Sequence, residues 1–354
     1  MPTHRPRWPL RVLVSTLALV CAHPALAGDW DGSRGLIYLS RGSYPAAMGW
    51  YRAETESHPT ESGPLAGLAL SKCRVGRLAE ADEHAAAAAL LDPDDPMMLT
   101  ARACLALASG DPVGALELHQ RASDGALFAF HHREMAWFLI HQGRFSDAAA
   151  AVDEMVAAGW EGRPTRAMLA ECDLGLGRLE QARLRIDDFQ RAGSGPRRAF
   201  HVETLATLAD DLLIGPSVEP FPRQLSPFDA SQDLVVIRAE ALRRLGQVDA
   251  AETEAERRKR DPLHSLAWAF LARIATDAGD LDRAGRILDE ARPRWPLHPS
   301  LLLSEARLEA RRGRRAAATD LLEQARAVGV PAWDAVVESE LEDELVALAA
   351  DRSP

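Results

Sequence analysis

At 354 residues the chain is long enough for one large domain or two ordinary ones, and with 47% apolar and 26% charged residues it has the balance of a globular protein. A net charge of −11 excludes the broad basic face by which nucleic acid is bound. Alanine and leucine dominate, aromatic residues make up only 6%, and the β-branched runs that mark strands are scarce, so the composition predicts an all-α fold.

The chain opens with Arg5, Arg7 and Arg11, then an apolar run from Val12 to Cys21, then Ala25-Leu26-Ala27. A basic start, a short apolar stretch and a small-x-small site have the layout of a secretory leader. Cleavage is expected after Ala27, which places the mature protein in the periplasm or outside the cell. Contact with the membrane would come only through this segment, were it retained. Lipidation of Cys21 is disfavoured by the bulky Val20 before it. Losing three arginines and no acid would take the net charge from −11 to −14. The rest of the chain keeps Cys73, Cys104 and Cys172, an odd number that leaves at least one thiol free. All three fall within predicted helices, and packed helix axes lie about 8–10 Å apart. They are therefore read as small buried apolar side chains and not as a disulfide framework.

From residue 28 onwards one unit recurs. Glycines at 42, 76, 110, 143, 177, 246, 279 and 313 are separated by 33 or 34 residues, with a single step of 69. Five residues after each glycine stands an alanine: Ala47, Ala81, Ala115, Ala148, Ala182, Ala251, Ala284 and Ala318. Seven residues before stands another small residue: Gly35, Ala69, Ala103, Ala136, Ala170, Ala239, Ala272 and Ala306. Ser265–Pro299 is the clearest copy. Trp268, Leu271, Ala272 and Ala275 lie on one helical face, Gly279 makes the turn, and Leu281, Ala284, Leu288 and Ala291 form the stripe of a second helix that Pro293 and Pro296 stop. Neither stripe can be buried within one hairpin, so neighbouring hairpins must stack.

A helix–turn–helix unit of 34 residues with these small, large apolar and proline positions resembles the tetratricopeptide repeat. The resemblance runs from about residue 28 to 332. It implies a right-handed superhelical α-solenoid whose concave face binds a peptide or partner protein. Repeats are expected over 28–196 and 232–332. Residues 197–231 read as a degenerate repeat with a proline-rich loop, which could carry Phe221 and Phe228 as a lid. Residues 333–354 read as a capping helix with Val336, Val337, Leu341, Leu345 and Leu348 on its apolar side.

In such repeats the first helix of each hairpin lines the groove, and the positions six and three before the turn glycine face it. These columns supply Leu36, Leu70, Cys104, Trp137 and Ile140 in the first repeats, and Glu240, Arg243, Arg273 and Arg307 in the last ones. One expectation is a groove apolar at one end, for a hydrophobic or helical segment, and charged at the other, for acidic groups; the other is that the apolar half is covered by tight packing of the superhelix. The lysines and asparagines of the carboxylate-binding members of this superfamily are missing from these columns, so that activity is not carried over.

No catalytic, cofactor or metal motif stands out. His131-His132-Arg133-Glu134 has no ligand partner at the next helical turn, and its histidines read as solvent-facing. Asp92-Pro-Asp-Asp-Pro96 lacks the glycine and terminal glutamate of a calcium loop and fits a connection between repeats. The sequence therefore predicts an exported, non-catalytic scaffold for a protein or peptide, with no cofactor. A binder of an exported polysaccharide is the alternative, and an enzyme built on a solenoid the remotest reading.

Overall fold

A computed structural model describes residues 33–185 and 247–350, apart from 41, 125–128, 160–162, 179 and 332–333, together with residues 239 and 243. The leader, the proline-rich stretch and Glu240 lie outside the described residues. Among the described residues the regular structure is helical throughout. The helices are α1 Ser33–Ser40, α2 Tyr44–Ser57, α3 Ser62–Arg74, α4 Leu78–Leu91, α5 Pro96–Ala108, α6 Pro112–Asp124, α7 Ala129–His141, α8 Phe145–Ala157 and α9 Arg163–Gly175. Beyond the undescribed stretch come α10 Val248–Lys259, α11 Ser265–Asp277, α12 Leu281–Ala291, α13 Pro299–Arg311, α14 Arg315–Val328 and α15 Ala335–Ala350.

Among the described residues the hairpins turn where the sequence places their glycines. Gly42, Gly76, Gly110, Gly143, Gly177, Gly279 and Gly313 all have φ between 63° and 86°, a region costly for any residue with a Cβ. The hydrogen bonds repeat too. At the α3–α4 turn Gly76 N–H donates to the Cys73 carbonyl at 2.9 Å and Arg77 N–H to the Lys72 carbonyl at 2.9 Å. This pair closes a Schellman cap and satisfies the last carbonyls of the helix.

Both small columns are buried along the whole array. Alanine there lets the two helices of a hairpin, and the first helices of adjacent hairpins, approach closely, while larger side chains fill the space between stacked pairs. Trp268, Trp295, Tyr51, Phe138 and Phe270 are the largest of these and are almost wholly enclosed. At the C-terminus α15 lays Leu341 and Leu345 over Leu303, Leu322 and Ala325, as expected of a cap on a repeat array.

Two expectations about cysteine and histidine are corrected here. Cys73 and Cys104 form a disulfide between α3 and α5, with their Cα atoms 6.4 Å apart. The spacing of helix axes misled, because facing Cα atoms each project about 2.3 Å from their axes toward one another and so reach disulfide range. Cys172 is buried and free. His131 is buried and not solvent-facing, its Nδ1 lying 2.9 Å from the Thr100 hydroxyl.

Candidate partner-binding cleft

Three of the N-terminal hairpin turns are covered by the C-terminal hairpins, which lean on them. A methyl group on Gly76 would lie 3.1 Å from the Arg260 carbonyl, one on Gly110 2.9 Å from Cβ of Pro293, and one on Gly143 2.6 Å from Cδ of Pro299. The equivalent turns at Gly177 and Gly279 have nothing so close. Three successive N-terminal turns thus meet the C-terminal chain, at the segment after α10 and at the one between α12 and α13. Hydrogen bonds cross the same seam. Arg294 Nε donates to the Ala108 carbonyl at 3.2 Å, and Gln142 Nε2 donates to the Arg294 carbonyl at 3.4 Å. Leu263 completes the core made by Leu107, Phe138 and Ile140.

A buried ionic network holds the centre of the seam. The Arg74 guanidinium pairs with Glu134 on α7 and, at 3.5 Å, with Asp261 from the far half. Asp261 also accepts from the Tyr44 hydroxyl at 3.4 Å and from Leu263 N–H at 3.0 Å. Burial by itself would lower the Arg74 pKa, but Glu134 and Asp261 outweigh it and the guanidinium stays charged. Burial, and then the Asp261 charge, push the Tyr44 hydroxyl well above its ordinary range. Losing one member of such a network leaves a buried charge exposed to a low dielectric, a loss of about 3–5 kcal/mol.

The groove-facing columns are accordingly redistributed. Leu70, Cys104 and Ile140 are in the core, Cys104 within the disulfide. Leu36 is half-buried against the first hydrophobic cluster. Trp137 is half-buried and stacks on His141 at 5.8 Å. In the C-terminal half Arg273 pairs with Asp334 at 3.2 Å, and Arg307 with Asp277 and Glu340, both at 3.0 Å. These two arginines bind neighbouring repeats and the cap together and do not await an acidic ligand. Arg243 is half-buried.

Between α1, α3 and α7 an unfilled cavity of about 90 Å³ remains, bounded by Leu39, Tyr44, Leu70, Phe130, Arg133 and Trp137 and closed on one side by Leu263. Three of these, Leu39, Leu70 and Trp137, come from the two columns that the sequence assigns to the groove. Arg133, named from the sequence only as part of a polar cluster and not as a groove residue, lies over the Phe130 ring with its guanidinium carbon 5.2 Å from the centroid, and donates to the Ser40 hydroxyl. An apolar wall, three aromatic rings and a cation over one of them make a small amphipathic cleft. Among the described residues no group of three or more His, Cys, Asp or Glu side chains is placed to hold a metal ion. None of the described helices is long and apolar enough to cross a membrane.

Stacked helical hairpins, each buried against its neighbours in successive hydrophobic clusters, define a helical-repeat fold. The tetratricopeptide-repeat family model matches residues 236–299, and hairpin turns at the same 33- or 34-residue glycine spacing recur among the described residues on either side, an arrangement similar to that of tetratricopeptide repeats. No curated protein matches it in sequence. Among solved structures it is similar to the tetratricopeptide domain of P58(IPK), at 17% identity over 91% of this chain and 98% of that one, with a TM-score of 0.28. A tetratricopeptide repeat protein from Parabacteroides merdae matches at 12% identity over 89% and 97%, with a TM-score of 0.31. The Cut9–Hcn1 hetero-tetramer of the APC/C matches at 12% identity over 96% and 59%, with a TM-score of 0.44. Likeness at this level carries no argument.

Proposed function

We propose that this chain is an exported, non-catalytic scaffold that binds a protein or peptide partner at the cleft around Trp137 and Arg133. The observation that carries the reading is the coincidence of three groove-column residues, Leu39, Leu70 and Trp137, with the unfilled cavity beneath Arg133. A protruding apolar side chain of the partner would fill the cavity, and Arg133 would meet a polar or acidic group beside it. The leader-like residues 1–27 support export, as does the Cys73–Cys104 disulfide, a bond that persists in oxidising compartments.

The test is capture from an envelope extract by the wild-type chain and by Trp137→Ala and Arg133→Ala variants. One stoichiometric protein retained by the wild type, and reduced at least tenfold by each variant at unchanged melting temperature, is the expected result. Equal capture by all three rules out the cleft as the binding face. The intact mass of the purified chain checks export in the same preparation: it should begin at Gly28 and lack two hydrogens for the disulfide.

A further inference from the structure

Three imidazoles are buried along the seam. His141 ends α7, and His264 and His298 stand immediately before α11 and α13; all three are almost wholly enclosed. The His141 and His264 rings meet across the seam with centroids 5.3 Å apart. His298 lies against the Gly143 turn, 3.7 Å from where a methyl group there would sit. Neither ring nitrogen of His264 has a hydrogen-bond partner, and Nδ1 of His298 has none either.

Most charges around them oppose a proton, although Asp261 favours one at His141. Arg74 from α3 and Arg258 from α10 repel a cation at His264, and Arg74 does so at His141 as well. The nearest acid, Asp261, is engaged by Arg74, Tyr44 and Leu263 N–H. Glu134, on the same helix as His141, is held by Arg74. Trp137 covers one face of His141.

We propose that the seam is an acid-released joint: protonation of His141, His264 and His298 parts the two halves and uncovers the apolar wall of Leu70, Ile140 and Trp137. That the uncovered wall is where a partner docks rests on the function proposed above; the parting itself does not.

An imidazolium carries two N–H donors, and His264 has an acceptor for neither where it sits. A buried cation without acceptors is expelled and not tolerated. Burial accordingly pushes His298 down to about 3. Burial, aided at His141 first by His264 and at His264 by Arg258 and Arg74, holds those two well below the usual histidine range. Once exposed, each ring regains an ordinary pKa of about 6.5. Above that pH both states are neutral and the joint keeps its full stability. As the pH falls below it, only the open state takes up protons, so each histidine favours opening by about tenfold per pH unit until its closed-state value is reached. Three together favour opening on the order of a thousandfold per unit.

The N-terminal hairpins hold two further buried histidines away from the seam. His119 packs on Phe138 at 5.1 Å and is pushed down by burial to about 3, and His131, hydrogen-bonded to Thr100, to about 4. They make acid unfolding of the hairpins themselves the competing event.

The purified chain is to be examined by small-angle scattering and far-ultraviolet circular dichroism at pH 7.5 and pH 5.0, beside the variants His264→Gln/His298→Gln and His264→Leu/His298→Leu. The proposal requires the wild type to expand at pH 5.0 with its helical signal retained, and at least one folded double variant to stay compact there. It is overturned if the wild type keeps its radius of gyration, if helicity is lost in step with expansion, or if both variants expand at the wild-type pH. No partner is needed, so expansion without a gain in partner capture at pH 5.0 would count against the binding reading and leave the joint standing.

Discussion

One carbon atom separates two glycines that the sequence treats as equivalent. Gly143 and Gly279 share a left-handed turn, with φ of 73° and 81°, but a methyl group on Gly143 would strike Pro299 and one on Gly279 would meet nothing within 4 Å. Gly279→Ala is expected to cost about 1–2 kcal/mol, the backbone strain alone. Gly143→Ala adds an overpacked contact and should cost about 2–4 kcal/mol in all. Urea unfolding of both variants measures the difference, and equal losses would mean that the seam is absent at that turn. The turn residues were legible in sequence because a positive φ restricts the residue type locally. The contact with Pro299 was not, because it joins residues about 150 positions apart and leaves no local pattern. Arg133 was missed for a similar reason: its partners are a ring on its own helix and a hydroxyl on α1, neither of which any spacing rule marks.

At the scale of helices, periodicity foretold the hairpins and the cap, while pairing between elements had to be seen. The arginine columns of the C-terminal repeats looked like a ligand face because the acids that neutralise them lie in other elements. Arg307 reaches Asp277 in the preceding repeat and Glu340 in the cap, and Arg311 and Arg326 reach Glu344, Glu338 and Glu342 there. The acidic run of α15 thus clamps the end of the array. The α3–α5 disulfide is the covalent counterpart near the other end. Closing a loop of 31 residues removes unfolded-state entropy worth about 3–4 kcal/mol. Cys104→Ser should therefore lower the melting temperature of the oxidised chain and leave Cys73 as a buried thiol. If the melting temperatures of the variant and the wild type coincide under oxidising conditions, the bond does not form in solution.

For the whole molecule, the repeats made an open superhelix the natural expectation, with a long groove running from apolar to charged. Each hairpin matches that expectation. The departure lies in how the hairpins of one half meet those of the other, through Arg74, Asp261, Leu263, His264 and the three turn glycines. Among the described residues much of the predicted groove wall is covered by the chain itself, and a cleft remains at Trp137 and Arg133. On the two proposals above, that cleft is the binding face and the seam is the joint that enlarges it.

The most direct test of the seam is a double-mutant cycle on Arg74 and Asp261, using Arg74→Met, Asp261→Asn and the double variant, read by denaturant unfolding at pH 7.5. These residues are separated by 187 positions and touch only if the halves meet as described. A coupling energy of about 1–3 kcal/mol is predicted, since contacting residues in one ionic network lose stability non-additively. Additive losses, with coupling below about 0.5 kcal/mol, would contradict the closed arrangement.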